Sequence, residues 1–197
     1  MGTNSSVFKQ SLPGGYEELI TSTGFKKKEI RKWYNAFMKT CPDGIMQVKD
    51  FATVYCAKKL STDEDPYLKE LYTSHVFRTF DKNGDNTLDF EEFISGLSLI
   101  NHGNKQDQLR WVFQMLDIDN SGTITKEELI ELITSVQLIG TRTTSAHSNE
   151  TLRVLYNLEA HRMLRQMDEN EDGQITFEEF EKTASDDPVV LKLLQRL

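Results

Sequence analysis

Cysteine is scarce in this chain. Only Cys41 and Cys56 occur among 197 residues, so no disulfide framework carries the fold, and the chain reads as a reduced, intracellular one. Long apolar runs are missing as well. No stretch approaches the roughly 18 residues that a membrane-spanning helix needs, so any membrane contact is expected to be peripheral. Positive charge is in deficit, with 23 Lys and Arg against 31 Asp and Glu and a net charge of −8. Without a basic field to displace phosphate counterions, nucleic acid is not an expected partner. The parts of an enzyme are wanting too. His75, His102, His147 and His161 show no metal-ligand spacing, the Ser and Cys residues lack a nucleophile context, and there is no glycine-rich phosphate loop.

What the chain does hold is oxygen at a fixed period. Asp81, Asn83, Asp85, Thr87, Asp89 and Glu92 occupy positions 1, 3, 5, 7, 9 and 12 of a twelve-residue segment. Asp117, Asp119, Ser121, Thr123, Thr125 and Glu128 repeat the pattern, and Asp168, Asn170, Asp172, Gln174, Thr176 and Glu179 repeat it again. A calcium ion takes six to eight oxygens, and such a loop can wrap it with alternate side chains, the backbone carbonyl of position 7 and a closing bidentate Glu. Three loops of this kind predict binding of up to three Ca2+, with Mg2+ able to occupy Asp-rich sites at resting calcium. Gly122 and Gly173 suit the left-handed turn at position 6, where the first of these loops carries Asn86 instead. Val76, Phe77 and Phe80, then Val112, Phe113 and Leu116, then Met163, Leu164 and Met167 precede the loops at helical spacing. Leu88, Ile124 and Ile175 fall at position 8, where paired hands form a short antiparallel bridge.

Hands of this type work in pairs, and a fourth is recognisable but disabled. With Gly44 at position 6 the segment Lys39 to Asp50 places Lys39 at position 1, Cys41 at position 3 and Pro42 where the loop must curl, with Met46 at the bridge position. A cation and a soft sulfur do not serve calcium, and Asp50 is one methylene short of the closing Glu. This hand is expected to be structural and empty. The predicted fold is therefore all-α, four EF-hands in two paired lobes, 1–102 and 103–197, with short antiparallel β bridges between paired loops. The polar stretch Ser98 to Gln108 is the expected break between lobes, Gly103 being either a hinge or a helix C-cap. Gly140 to Asn149 is the expected loop between the third and fourth hands. Asp187-Pro188 should cap and open a terminal helix, with Val190, Leu193, Leu194 and Leu197 along one stripe.

Met1-Gly2-Thr3-Asn4-Ser5-Ser6 fits the signature for myristoylation of Gly2. Lys26, Lys27, Lys28, Arg31 and Lys32 would add attraction to anionic lipid, which a single acyl chain needs for stable anchoring. Together with the broken first hand in Lys32-Trp33-Tyr34-Asn35-Ala36-Phe37-Met38-Lys39-Thr40-Cys41-Pro42-Asp43-Gly44, the Leu109-Arg110-Trp111-Val112-Phe113 run and Asp187-Pro188, these features resemble the neuronal calcium sensor family. That family spans recoverin-like sensors and guanylyl-cyclase-activating proteins. The resemblance covers nearly the whole chain. It implies a sensor whose N-terminal lobe receives its own lipid or a helix of a membrane-associated protein target, such as a guanylyl cyclase, receptor kinase, lipid kinase or channel, on the cytoplasmic face of a membrane. Trp33, Tyr34 and Tyr55 are the expected groove residues, with Phe37, Phe51, Phe80 and Phe93 as core. A calcium buffer, or a constitutive regulatory subunit resembling calcineurin B, are the alternatives.

Overall fold

The computed structural model describes residues 15–55, 66–138 and 146–195. Over these the chain folds as α1 (Gly15–Thr23), α2 (Lys27–Thr40), α3 (Val48–Val54), α4 (Pro66–Phe80), α5 (Phe90–His102), α6 (Lys105–Leu116), β1 (Thr123–Thr125), α7 (Lys126–Leu138), α8 (Ala146–Met167), β2 (Gln174–Thr176), α9 (Phe177–Ala184) and α10 (Pro188–Gln195). The predicted all-α architecture with β bridges is what forms.

Pairing of the hands follows the position-8 residues. Met46 and Leu88 exchange both backbone hydrogen bonds at 2.9 Å. β1 and β2 pair antiparallel with Ile124 opposite Ile175. All four side chains are fully buried, because a β-bridge side chain between two loops has a packed helix pair beneath it and nowhere else to go. The helix-face residues ahead of the loops behave likewise: Val76, Phe77, Phe80, Val112, Phe113, Leu116, Met163 and Met167 are buried, and Leu164 packs at the core margin.

The N-terminal core is aromatic. Phe51 stacks on Tyr55 at 5.0 Å and meets Phe80 edge-on at 5.1 Å, and Phe37 lies edge-on to Phe90 at 5.5 Å. Each such pair adds about 1 kcal/mol beyond area burial. Gly96 in α5 is required by this packing, since a Cβ there would sit 2.5 Å from the Phe80 ring.

Two boundaries differ from expectation and a third agrees with it. Ser98 to His102 stay helical in α5 and Lys105 to Gln108 in α6, which shrinks the break to Gly103 and Asn104. The Gly103 N–H caps Leu99 O at 3.0 Å, and Asn104 accepts from the Asp107 N–H at 2.9 Å, so two polar-looking flanks are held as helix ends. Helix α8 begins at Ala146, inside the expected loop; residues 139–145 lie outside the described part. The terminal helix forms at Pro188, with Asp187 Oδ1 accepting the N–H groups of Val189 and Val190 at 2.8 and 3.2 Å.

The lobes are not independent of one another. Helix α4 packs against α6 and α7, and α5 against α6. Among the described residues no helix is long and apolar enough to cross a membrane.

Candidate metal centres

Each loop is held by the same hydrogen-bond scheme. The position-1 carboxylate accepts from amides further round the turn: Asp81 from Gly84 and Asn86, both at 2.8 Å; Asp117 from Ser121 at 2.9 Å and Gly122 at 3.0 Å; Asp168 from Asp172 at 3.2 Å and Gly173 at 2.9 Å. Curling the chain this tightly drives two positions left-handed. Position 6 has φ 62° at Asn86, 87° at Gly122 and 84° at Gly173, while position 4 has φ 72° at Gly84, 56° at Asn120 and 58° at Glu171. Asn86 thus adopts the glycine-like turn, as its short polar side chain allows. The demand at position 4 was not read from the sequence, although Gly84 and Asn120 carry its signal.

The closing glutamates face inward. Glu128 accepts from the Ile118 N–H at 2.7 Å with Oε1 and from the Thr125 N–H and hydroxyl, both at 2.7 Å, with Oε2. Glu179 does the same from Glu169 at 3.0 Å and from Thr176 at 2.9 and 2.7 Å. Glu92 spans Asn83 at 3.3 Å and Asp89 at 3.1 Å. All three carboxylates are buried. In each loop position 9 is also the N-cap of the exiting helix and position 12 its N3 residue, so Asp89–Glu92, Thr125–Glu128 and Thr176–Glu179 are capping boxes. The glutamate expected to close on a cation is therefore the one that starts the helix. That double role was legible as D-x-x-E and T-x-x-E, and was missed.

Among the described residues one acidic trio, Asp117, Asp119 and Glu128, brings its ligand oxygens within 4.8 Å of one another. Burial pushes the Asp117 carboxyl above its usual range, and the Ser121 hydroxyl draws Asp119 below it. Similar hydroxyl and amide donation lowers Asp85, through Thr87, and Glu179, through Thr176. Asn170 and Asp172 are linked at 2.9 Å in the fourth loop. The Thr123 hydroxyl donates to Gln174 Oε1 at 2.6 Å, joining the two position-7 residues across the β bridge. An all-oxygen, partly anionic donor set of this kind fits a hard divalent cation such as calcium.

The first hand keeps the frame without the donors. Gly44 is left-handed at φ 83°, and Asp50 accepts from the Gln47 N–H at 3.2 Å, a shortened version of the closing contact. Cys41 is buried, and burial, with Asp50 and Asp43 nearby, pushes its thiol up to about 11.

Two of the three expected groove residues are core. Tyr34 and Tyr55 are each 4 % exposed, Tyr34 edge-on to Phe90 at 4.9 Å and Tyr55 stacked on Phe51. In this conformation both rings pack against neighbouring phenylalanines and not on an open surface. Trp33 is half-buried and edge-on to Phe93 at 5.9 Å. Phe37, Phe51, Phe80 and Phe93 are fully buried, as expected. Gly2 lies outside the described residues.

Paired helix–loop–helix units with oxygen-lined twelve-residue loops define an EF-hand protein, and the EF-hand domain pair matches residues 106–185, with a single EF hand domain matching 74–100. The chain is 34% identical to guanylyl cyclase-activating protein 2 of Gallus gallus over 167 residues, 85% of this chain and 81% of that one. It is 32% identical to recoverin of Homo sapiens over 185 residues, 91% and 86% of the two chains, and 32% identical to neuronal calcium sensor 1 of Lymnaea stagnalis over 195 residues, 98% and 96%. The chain belongs to the neuronal calcium sensor family, and is a calcium-binding sensor.

Proposed function

We propose that this sensor takes up to three Ca2+, in the loops that begin at Asp81, Asp117 and Asp168, and passes their occupancy to a membrane-associated protein target. The observation that carries the reading is the inward pose of Glu92, Glu128 and Glu179, each joining the two ends of its loop. Cation entry replaces amide donors with a divalent charge, pulls on the first turn of α5, α7 and α9 through these carboxylates, and changes which aromatic surface the N-terminal lobe shows. Mg2+ holds one or more loops at resting calcium. Trp33, half-exposed already, and Tyr34 and Tyr55, once the lobe opens, contact a target helix. A myristoyl group on Gly2 supplies peripheral membrane contact. The similarity to a guanylyl cyclase-activating protein supports a guanylyl cyclase as the target, and a receptor kinase, lipid kinase or channel is the alternative class.

Calorimetric calcium titration of the full chain tests this. Wild type is expected to fill three sites, and Glu92→Gln, Glu128→Gln and Glu179→Gln to lose one each, because the amide keeps the shape and removes the bidentate anion. An unchanged stoichiometry in any variant refutes that loop. An apolar-surface dye read in the same titration separates a sensor, whose signal rises or falls with calcium, from a buffer, whose signal stays flat.

A further inference from the structure

Arg78 lies in the last turn of α4, three residues before the second loop, yet its guanidinium reaches into the other lobe. Its Nη2 donates to Gln114 O at 3.1 Å, Met115 O at 3.0 Å and Asp117 O at 3.4 Å. These are carbonyls at the end of α6, which have no partner within their own helix, and a cation there also meets the negative end of the helix dipole. One of them belongs to the residue that opens the third loop. Burial lowers the guanidinium below its ordinary value, while Asp117, Glu128, Glu131 and Asp119 act to raise it. A single side chain of the N-terminal lobe thus caps the helix that enters the third loop and sits in the field of that loop's carboxylates.

We infer that Arg78 is the positioning residue that couples the third loop to the N-terminal lobe, so that a divalent cation entering the loop loosens the contact between lobes. The inference rests on the reading of Asp117 to Glu128 as a calcium loop. The physical reason is competition. In the calcium-free chain Arg78 is the positive charge that the loop's carboxylates see across the lobe boundary. Calcium satisfies the same carboxylates from within, and two like charges then face one another over the Asp117 backbone. Coupling of this kind is reciprocal: what calcium does to the Arg78 contact, Arg78 does to calcium affinity. A lysine would keep the charge but carry it as a compact ammonium on a shorter side chain, in place of the guanidinium whose Nη2 makes all three contacts.

The test uses the full chain carrying Glu92→Gln and Glu179→Gln, so that only the third loop keeps its closing glutamate, labelled with 5-fluorotryptophan. The two tryptophans divide the labour: Trp33, in α2, reports on the N-terminal lobe and Trp111, in α6, on the C-terminal one. Calcium is expected to shift both fluorine signals. With Arg78→Met added, the Trp111 signal should still respond, the Trp33 response should vanish, and calcium affinity measured by calorimetry should rise about fivefold. Arg78→Lys should restore part of the Trp33 response. A Trp33 response absent from the parent, or unchanged by Arg78→Met, overturns the proposal, as does a fall in affinity. A parent that binds no calcium overturns the third-loop reading beneath it instead.

Discussion

Single residues in these loops carry unequal strain. Position 4 is left-handed in all three, but the chain supplies Gly84, Asn120 and then Glu171 there. An L-residue with a long side chain costs about 1 kcal/mol in that region, and neither Gly nor Asn costs as much. Glu171→Gly is therefore expected to raise stability by up to about 1 kcal/mol, part of the gain being offset by the freedom glycine adds to the unfolded chain. Thermal unfolding in chelator measures this, and no gain in Tm would show that the Glu171 backbone is relaxed. Position 6 of the first complete loop is a milder case. Asn86 reaches φ 62° with its amide donating to Asp81, so the missing glycine leaves the turn intact.

At the scale of elements, the terminal helix is tied down through one buried side chain. Asp187 is fully buried; its Oδ1 caps the first turn of α10, and its Oδ2 accepts from Arg162 of α8 at 2.5 Å. Arg162 also pairs with Glu159 at 2.8 Å. Removing the carboxylate leaves two buried helix-end amides unmatched, while Arg162, itself 37 % exposed, keeps Glu159 and Gln166 as partners. Asp187→Ala should cost about 2 kcal/mol and free α10 before the rest of the lobe unfolds. Amide hydrogen exchange across α10 reads that directly: protection at Val190 equal to wild type would mean that apolar packing of Val189 and Val190 holds the helix without its cap. A comparable local device fixes α1, whose Thr23 carbonyl accepts from the Ser98 hydroxyl at 2.6 Å and lies 3.0 Å from His102 Nδ1 on α5.

Across the whole molecule the lobes meet where α4 packs on α6 and α7 and where α5 packs on α6. His75 and Arg78, three residues apart, both point from α4 into the C-terminal lobe. His75 is 3 % exposed, neither ring nitrogen has a hydrogen-bond partner, and Glu131 of α7 stands 3.6 Å from Nε2. Burial, with Arg78 adding to it, lowers its pKa from 6.5 to about 4. The folded protein thus keeps His75 neutral while the unfolded chain protonates it below pH 6.5. Above that value the two states bind the same number of protons here and nothing is lost. Between pH 6.5 and about 4 stability falls as pH falls, by about 2 kcal/mol on reaching pH 5. Urea unfolding in chelator at pH 7 and pH 5 should show that loss in wild type and much less of it in His75→Gln. Equal losses in both proteins would assign the effect to carboxylates elsewhere.

The sequence by itself determined the periodic features: twelve-residue oxygen loops, helical spacing of the apolar residues ahead of them, the position-8 side chains that pair as Met46 with Leu88 and Ile124 with Ile175, and the Asp187-Pro188 helix start. These are legible because each is set by a local rule of bond geometry or ligand chemistry, acting within about a dozen residues. Tertiary structure alone decided the rest. Tyr34 and Tyr55 became core because the space they fill is made by helices distant in sequence. The lobe break shrank to Gly103 and Asn104 because caps and packing hold flanking residues that look like linker. Arg78 acquired its partners 36 to 39 residues away, where no pattern along the chain could point, since only folding brings the ends of α4 and α6 together.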